Sequence, residues 1–455
     1  MLFGPVFESF AESAPFCTMT QSLLENIFSR EEIDRIFEET ALGQYTRDLT
    51  FSTVADLMCD VVLGAQPSIH AAFTQKKDDL SVSITSIYNK LNGTELGVSE
   101  TLVEQTAARM GPIIGTLGGH CVSLLDGYRV RILDGNHLAG TEHRIEELRS
   151  LAAAPLPGKS LVVYEPASGL MTHMIGCEDG HAQERSLIPR VLELVETDDL
   201  WIEDRNFCTT DFLFGIHDRG AAFIVRQHKA NLVWERVGKR KKKGRIDTGT
   251  VYEQKMHIHQ GDRSILIRRI TLVLDEPTRD GETEIHILTN LKVKRASALK
   301  VAELYRHRWK IETAFQALTR DLCCEIHTLG YPRAALFGFA LAVVAYNIYS
   351  VAQSALRAVH GPQIDEEVSR YHLANEVRYA YGGMMIAVPT QDWRKIADYT
   401  PAQMAAHLKR LAKRMDLSKY PKSKRQPKKP PTPRVHDKRH PHVSTFRVLQ
   451  QSRDG

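Results

Sequence analysis

The stretch Tyr128-Arg-Val-Arg-Ile-Leu-Asp134, followed by Gly135, decides the fold class of this chain. Polar and apolar residues alternate along it, which predicts a β-strand that ends in Asp-Gly. Five further segments have the pattern of a strand or a helix: Ser160–Glu165, Leu170–Cys177, Glu184–Glu196, Leu200–Asp204 and Ala221–Arg226. The third of them is an amphipathic helix and the others are strands. Strands in this order around a helix predict a mixed α/β sheet.

Different patterns flank this core. Helical periodicity covers most of the first ~115 residues. These helices are equally consistent with a helix-turn-helix DNA binder and with a plain helical cap. From about Gln227 to Asn290 the sequence is β-rich, and Lys239-Arg240-Lys241-Lys242-Lys243 is expected on a hairpin tip there. Long helices return at Ser297–Asp321 and Ala335–His360, and a tail rich in Lys, Arg and Pro predicts disorder.

The patterns together predict six segments along the chain. They are a helical, DNA-binding N-terminal domain (1–117), the first half of the α/β core (118–226), a β-rich insertion (227–292), the second half of the core (293–365), a C-terminal helical region (366–418) and a basic disordered tail (419–455).

Composition limits the class of protein. Hydrophobic residues make up 43% of the chain and charged residues 25%, the balance of a soluble globular protein. The seven cysteines include no C-x-x-C pair, which favours reduced thiols in the cytosol over a zinc module. Within 335–352 the chain is apolar enough to raise the question of a membrane, but a buried core helix is favoured over a membrane span.

Two aspartates follow strand patterns, Asp134 and Asp204. Carboxylates at the carboxyl ends of strands meet at the edge where α/β folds carry their sites. Hard cations such as Mg²⁺ prefer oxygen ligands of this kind. On composition alone the alternative remains open that both aspartates are ordinary turn residues.

A third carboxylate lies early in a predicted helix. Tyr305, Arg308 and Glu312 follow i, i+3, i+7 spacing and are expected on one helix face. A cation, a phenol and a carboxylate on one stripe suit a metal-bound phosphate. An exposed, salt-bridged helix face explains the same spacing.

The Tyr305-x-x-Arg308-x-x-x-Glu312 pattern resembles the Tyr-Arg-Glu-Lys signature of DDE transposases of the insertion-sequence-four type. Three further motifs, in the same order as in that family, resemble its two aspartate motifs and the strand before its signature helix: Ile132–Gly135, Asp204–Phe207 and Leu288–Leu291. The likeness extends from about Tyr128 to His360. The family's lysine, seven positions after the glutamate, is Thr319 here, with Arg320 beside it.

The resemblance implies a ribonuclease-H-like core interrupted by the insertion. It implies that Asp134, Asp204 and Glu312 bind two Mg²⁺ ions, for which Mn²⁺ can substitute. Family enzymes cut transposon ends and join the 3′-hydroxyl to target DNA, so double-stranded DNA, both terminal inverted repeats and target, is the expected partner. A homodimer on DNA, a cytoplasmic location at the nucleoid and no membrane are also expected.

The resemblance gives further residues a part in DNA binding. Tyr305 and Arg308 would hold the phosphate backbone near the cut, and Arg320 is a substitute for the missing lysine. The basic run 239–243 would contact phosphates without reading sequence. Trp234 is a candidate to hold a flipped base, against the alternative of ordinary packing.

Three other classes of protein remain as alternatives. One is a transposase-derived DNA-binding protein without activity, which Thr319 favours. Another is a related ribonuclease-H-like nuclease that cuts without strand joining. The last is a structural protein whose acids are incidental, which the four ordered motifs oppose.

Overall fold

The computed structural model describes residues 3–44, 46, 48–121, 123–228, 232–278, 280–423 and 441–454. Its strands, in chain order, are β1 (Arg129–His137), β2 (Ala154–Leu156), β3 (Lys159–Glu165), β4 (Leu170–Cys177), β5 (Asp199–Glu203), β6 (Ala222–Arg226), β7 (Val233–Ile246), β8 (Gly249–Gln260), β9 (Arg263–Leu274), β10 (Glu284–Thr289) and β11 (His442–Ser444). Nine of them form one mixed sheet in the order β4-β3-β1-β5-β6-β10-β9-β8-β7. The prediction of a mixed α/β sheet is therefore confirmed.

Along the chain, most helices come before the first strand of this sheet or after its last strand. Before β1 lie α1 (Pro5–Ser13), α2 (Pro15–Ile27), α3 (Arg30–Thr40), α4 (Phe51–Val62), α5 (Ile69–Gln75), α6 (Ile84–Gly93) and α7 (Leu96–Leu117). Between the strands lie α8 (Ile188–Glu193) and α9 (Thr210–Asp218). After β10 follow α10 (Ala298–Arg306), α11 (Trp309–Asp321), α12 (Pro332–His360), α13 (Ile364–Glu367), α14 (Arg370–Ala387), α15 (Thr390–Ala397), α16 (Pro401–Ala412) and α17 (Thr445–Asp454).

The first half of the sheet combines a hairpin with parallel strands. β1 pairs antiparallel with β3, and β3 with β4, as the predicted hairpin requires. On its other side β1 runs parallel to β5, and β5 runs parallel to β6. The carboxyl ends of three neighbouring strands therefore meet at one edge of the sheet.

The β-rich stretch continues this same sheet. β10 pairs antiparallel with β6, and β9, β8 and β7 follow as an antiparallel meander. The basic run 239–243 lies within β7, the last strand, and does not lie at a hairpin tip as predicted. The tip joining β7 to β8 lies further on, at 247–248. Exposed cations suit an edge strand, because they oppose its pairing with another chain.

Side chains that alternate along each strand pack into two apolar cores. Ile132 and Ile202 face one core, which the helices before β1 and after β10 cover, whereas Leu133 and Trp201 face a smaller core covered by α8 and α9. The parallel strands β5 and β6 and their neighbours β1 and β3 are thus enclosed on both faces, as parallel strands require, whereas β7 is exposed.

Helix α12 runs through the larger core. It is long and apolar enough to cross a membrane by length and composition, but 94% of its apolar window is buried inside the protein. This burial is typical of the core helix of a soluble protein and agrees with the prediction for 335–352.

Three predicted segments differ from the structure. The helix expected over 184–196 is a short 3₁₀ turn, Glu184–Leu187, followed by α8. Apolar residues at three- and four-residue spacing over 22–40 predict one helix, but the structure divides this stretch near Ser29, whose side chain caps α3 by accepting from the Glu32 amide. Of the predicted disordered tail, 424–440 lies outside the described residues, but β11 pairs with β2 and leads into α17.

Replacing Asn347 tests the contact between α12 and the sheet. Its buried side-chain amide accepts from the Met171 N–H and donates to the Met171 carbonyl, both at 2.8 Å. Asn347→Ala should lower the free energy of unfolding by about 2–4 kcal/mol, because each buried group left without a partner costs ~1–3 kcal/mol. Urea denaturation measures the change, with Asn375→Ala on the half-buried side of α14 as control. Equal midpoints for the two variants would contradict the prediction.

Candidate active site

The parallel register of β1 and β5 brings the two aspartates together. Ile132 and Ile202 are the last paired residues, and two residues beyond them Asp134 and Asp204 lie close enough for Asp204 to raise the pKa of Asp134. Adjacent strands lie about 4.8 Å apart. Both aspartates share the strand face of Ile132 and Ile202, which is the face of the larger core.

The backbone around each aspartate differs from the predicted strand end. β1 does not stop at Asp134 but continues to His137, still paired with β3. Asp204 directly follows β5, and its side chain accepts from the Asn206 amide at 2.6 Å, which starts a 3₁₀ turn. The Asp-Gly pair at 134–135 therefore lies within a strand and is not a turn.

Arg308 connects Asp134 to Glu312. Its guanidinium donates to Asp134 Oδ2 at 3.0 Å and to Glu312 Oε1 at 2.5 Å. The predicted single helix over 297–321 is divided into α10 and α11. The break lies between Arg306 and Trp309, and Arg308 is the N-cap residue of α11. Amide-to-carbonyl bonds of i→i+3 type, such as Arg308 N–H to the Tyr305 carbonyl at 3.1 Å, tighten the backbone at the break.

The charges of Asp134, Asp204, Glu312 and Arg308 influence one another. The pKa of Asp134 is raised to about 7, mainly by burial and also by the neighbouring Asp204 and Glu312, although Arg308 acts in the opposite direction. Arg308 therefore offsets only part of the effect of burial and of the two neighbouring carboxylates. Burial alone would lower the pKa of Arg308, but Tyr305, Asp134 and Glu312 raise it above its ordinary value.

Tyr305 lies beside the same group of charges. Burial raises the pKa of its phenol, whereas the guanidinium groups of Arg308 and Arg226 act to lower it and Asp204 acts to raise it. Tyr305, Arg308 and Glu312 are thus brought to the aspartates together, in spite of the helix break. Arg226, at the end of β6, is a neighbour that the sequence pattern did not single out.

Two glutamates near the aspartates were also missed. Glu203 directly precedes Asp204 and points to the opposite face of β5, where burial, and then Asp204, raise the pKa of its carboxyl well above its ordinary value. Glu184 contacts the segments of both aspartates: its carboxylate lies against Gly135 and accepts from the Asn206 side chain at 3.3 Å. No sequence motif marks Glu184, because the contact depends on tertiary packing.

Thr319 and Arg320 have partners of their own. The Thr319 hydroxyl donates to the Phe315 carbonyl at 3.3 Å within α11. The guanidinium of Arg320 pairs with both carboxylate oxygens of Asp321, at 2.6 and 2.9 Å. Neither residue contributes to the charge coupling around Asp134 described above.

The cations of the basic run 239–243 fall into two sets, one without an ion pair described in the structure and one paired with glutamates. Along β7, Lys239, Lys241 and Lys242 are exposed. Arg240 donates to Glu284 at 3.1 Å and lies 4.2 Å above the Tyr252 ring, while Lys243 pairs with Glu253 at 3.1 Å.

Trp234 is held among arginines. Its half-buried ring packs against the smaller core, and the guanidinium groups of Arg236 and Arg269 lie 5.6 and 5.5 Å from its centre. Burial lowers the pKa of Arg269, and Arg236 and Arg240 lower it further by charge repulsion. This face of the insertion therefore concentrates positive charge around an aromatic ring.

Among the residues that the structure describes, no three His, Cys, Asp or Glu side chains lie close enough together to hold a metal ion. In this part of the structure the guanidinium of Arg308 pairs with the carboxylates of both Asp134 and Glu312.

Comparison with known proteins bears on these residues. Residues 126–348 match the family model of the transposase DDE domain. The match supports a DDE transposase. The matched segment of the chain runs from just before β1 into α12 and contains both aspartates, Tyr305, Arg308 and Glu312. A comparison with curated proteins found no match.

The raised pKa of Asp134 predicts how stability depends on pH. A folded-state pKa of about 7, above the ordinary value of 3.8, means that the folded chain holds this proton more tightly than the unfolded chain. The associated stability is present below about pH 4 and is lost as the pH rises through 7. Asp134→Asn has no carboxyl group to ionise and so does not lose this stability. Without divalent metal, the melting temperature of the variant minus that of wild type should therefore increase between pH 4.5 and pH 8.

Thermal melts of both proteins across this pH range check the prediction. Adding Mg²⁺ at pH 8 should raise the melting temperature of wild type more than that of Asp134→Asn, because a ligand that binds the folded state stabilises it. A difference between the two proteins that is the same at every pH would contradict the assignment.

Proposed function

We propose that the chain is a DNA transposase of the insertion-sequence-four type, which cleaves transposon ends and transfers the 3′-hydroxyl strand into target DNA. The observation that carries the proposal is that Arg308 pairs with both Asp134 and Glu312 while Asp204 lies close enough to raise the pKa of Asp134, all within the segment that matches the transposase DDE domain.

The three carboxylates fit a hard divalent cation. Their donors are all oxygen, and a cation would stabilise the ionised form of Asp134, whose pKa is raised mainly by burial and also by Asp204 and Glu312. Asp134, Asp204 and Glu312 would hold two Mg²⁺ ions, with Mn²⁺ as a substitute. When bound, such ions supply Lewis acidity for both the attacking and the leaving oxygen of a phosphodiester.

The remaining residues of the site have separate tasks. Arg308 holds Glu312 close to Asp134 before metal binds, and its two N–H donors then suit two oxygens of a phosphate. Tyr305 donates its phenolic hydrogen to the DNA backbone, and it stays protonated because burial raises its pKa. Arg226 adds positive charge beside Tyr305.

The strand order supports a ribonuclease-H-like core. A three-stranded antiparallel unit, β4-β3-β1, is extended by the parallel strands β5 and β6, and the glutamate comes from a helix on one face. The insertion 227–292 divides this core into 118–226 and 293–365. The helical regions 1–117 and 366–418 pack on the larger core, and we propose that 1–117 also contacts DNA.

The insertion supplies the second DNA surface of the proposal. Lys239 to Lys243 on edge strand β7 lie along the phosphate backbone, and Trp234 stacks on a base with Arg236 and Arg269 around it. An aromatic ring among arginines suits an unpaired base, since stacking is tolerant of sequence and the guanidinium groups reach the phosphates. Arg320 is the candidate for the contact that a lysine makes in the family.

Double-stranded DNA, at terminal inverted repeats and at the target, is the partner in this proposal. Joining two ends requires that both be held at once, and a homodimer on DNA provides this. The free cysteines and the burial of the apolar helix α12 are consistent with a cytoplasmic, nucleoid-associated protein.

A transposase-derived DNA-binding protein without activity is the second candidate. The hydroxyl of Thr319 replaces an expected ammonium group, and the guanidinium of Arg320 is paired with Asp321. If that contact is essential for cleavage, the protein binds DNA and does not cut it.

Cleavage of a transposon-end duplex distinguishes the two candidates. With Mg²⁺ or Mn²⁺, wild type should nick the 3′ end, and Glu312→Gln should lose cleavage while it retains DNA binding, because one metal-binding oxygen is replaced by an amide. Glu303→Gln on the exposed face of α10 is the matched control and should cleave like wild type. Binding without cleavage by wild type would favour the inactive candidate, with Thr319→Lys as the next variant.

The salt dependence of DNA binding tests edge strand β7. Lys241→Ala/Lys242→Ala should reduce the slope of log K against log salt by about 2, since each phosphate contact contributes ~0.9 to the slope. Lys413→Ala/Lys419→Ala removes two exposed lysines that lie outside both proposed DNA-contacting regions and serves as the control. Binding of a random duplex, measured by fluorescence anisotropy, provides the slopes. The same slope for both double variants would exclude β7 from the DNA surface.

A further inference from the structure

The pairing between β1 and β5 ends before the two aspartates. The last paired residues are Ile132 and Ile202, so no strand hydrogen bonds join Asp134 to Asp204. Their like charges repel each other, as the effect of Asp204 on the pKa of Asp134 indicates. Something else must hold the segment after β5 beside β1.

Glu184 spans this gap. Its Oε2 accepts from Asn206 Nδ2 at 3.3 Å, two residues after Asp204. Its Oε1 lies 3.6 Å from His137 Nε2 and would lie only 2.2 Å from a Cβ atom at Gly135. The carboxylate therefore touches β1 and the Asp204 segment at once, and its side chain is 15% exposed.

Two neighbours complete the arrangement. Arg185 Nε donates to the Asn206 carbonyl at 3.1 Å, so consecutive residues hold the side chain and the backbone of Asn206. Gly135 pairs with Leu161 and does not have a positive φ, so its backbone conformation does not require glycine. A Cβ atom at this position would instead displace the Glu184 carboxylate, which is the flexible end of its side chain.

We propose that Glu184 is a positioning residue that ties the Asp204 segment to β1 through Asn206 and Gly135, and so sets the separation of the two aspartates. The inference rests on the proposed function only where it concerns metal binding. Glu184 does not touch the metal in this role. It acts through Asn206 and through the space that Gly135 leaves.

Hydrogen exchange of the 204–208 segment tests the tie without metal or DNA. In the structure the amides of Asn206, Phe207 and Cys208 are bonded within this segment. Glu184→Ala should speed their exchange about tenfold, the effect of losing a hydrogen bond to a charged group. Glu184→Gln keeps an oxygen for Asn206 and should exchange like wild type. Glu193→Ala removes an exposed carboxylate from the nearby helix α8 and is the matched control.

Gly135→Ala provides a second route to the same contact. The added Cβ pushes the Glu184 carboxylate away, so this variant should exchange like Glu184→Ala. In the double variant the two effects should not add, because both remove one interaction. The inference is overturned if Glu184→Ala exchanges like Glu193→Ala, if Glu184→Gln exchanges as fast as Glu184→Ala, or if the effects of Gly135→Ala and Glu184→Ala add.

Mn²⁺ titration of the same variants, followed by electron paramagnetic resonance, extends the test to the site. Glu184→Ala should weaken Mn²⁺ binding about tenfold or more, the range for residues that orient a metal ligand without touching the metal, and Glu184→Gln should restore it. Wild-type affinity in Glu184→Ala would overturn the inference. Absence of Mn²⁺ binding by wild type would instead contradict the proposed function, and the exchange experiment would still decide the role of Glu184.

Discussion

The parallel register of β1 and β5 is the constraint on which the candidate site depends. Because Ile132 pairs with Ile202, Asp134 within β1 and Asp204 just after β5 lie near each other on the same face of the sheet. The cost of placing two carboxylates so close is visible in the pKa of Asp134, which burial raises first and Asp204 raises further. The apolar cores on both faces of the sheet fix the register, since a slip of one residue would bury polar side chains.

Arg308 offsets part of this negative charge and connects the sheet to α11. Its contacts with Asp134 and Glu312 join residues that are far apart in the chain, and they hold the third carboxylate near the first. The break between α10 and α11 lets Arg308 approach the strand edge while Tyr305 remains beside Asp204. Charge compensation therefore organises the site in the metal-free chain, and a divalent cation would take over the same task.

Much of the fold follows from local sequence patterns, whereas several contacts of the site do not. Alternation predicted the hairpin of β3 and β4 and the strand before Asp204, because each strand buries its apolar side chains on the sheet. The basic strand β7 was missed, since an exposed edge strand has no apolar alternation. The pairing of β11 with β2 and the contact of Glu184 with Gly135 depend on residues distant in sequence, and no periodicity reports them. The roles of Asp134, Asp204 and Glu312 stay predictions.

Anomalous scattering from crystals grown with Mn²⁺ and a transposon-end duplex would test the central claim most directly. The account predicts Mn²⁺ peaks bounded by the carboxylates of Asp134, Asp204 and Glu312, with Arg308 released from Asp134 and turned to a phosphate of the DNA. Peaks at other residues, or Arg308 still paired with Asp134 and Glu312 in the presence of bound DNA and Mn²⁺, would contradict it.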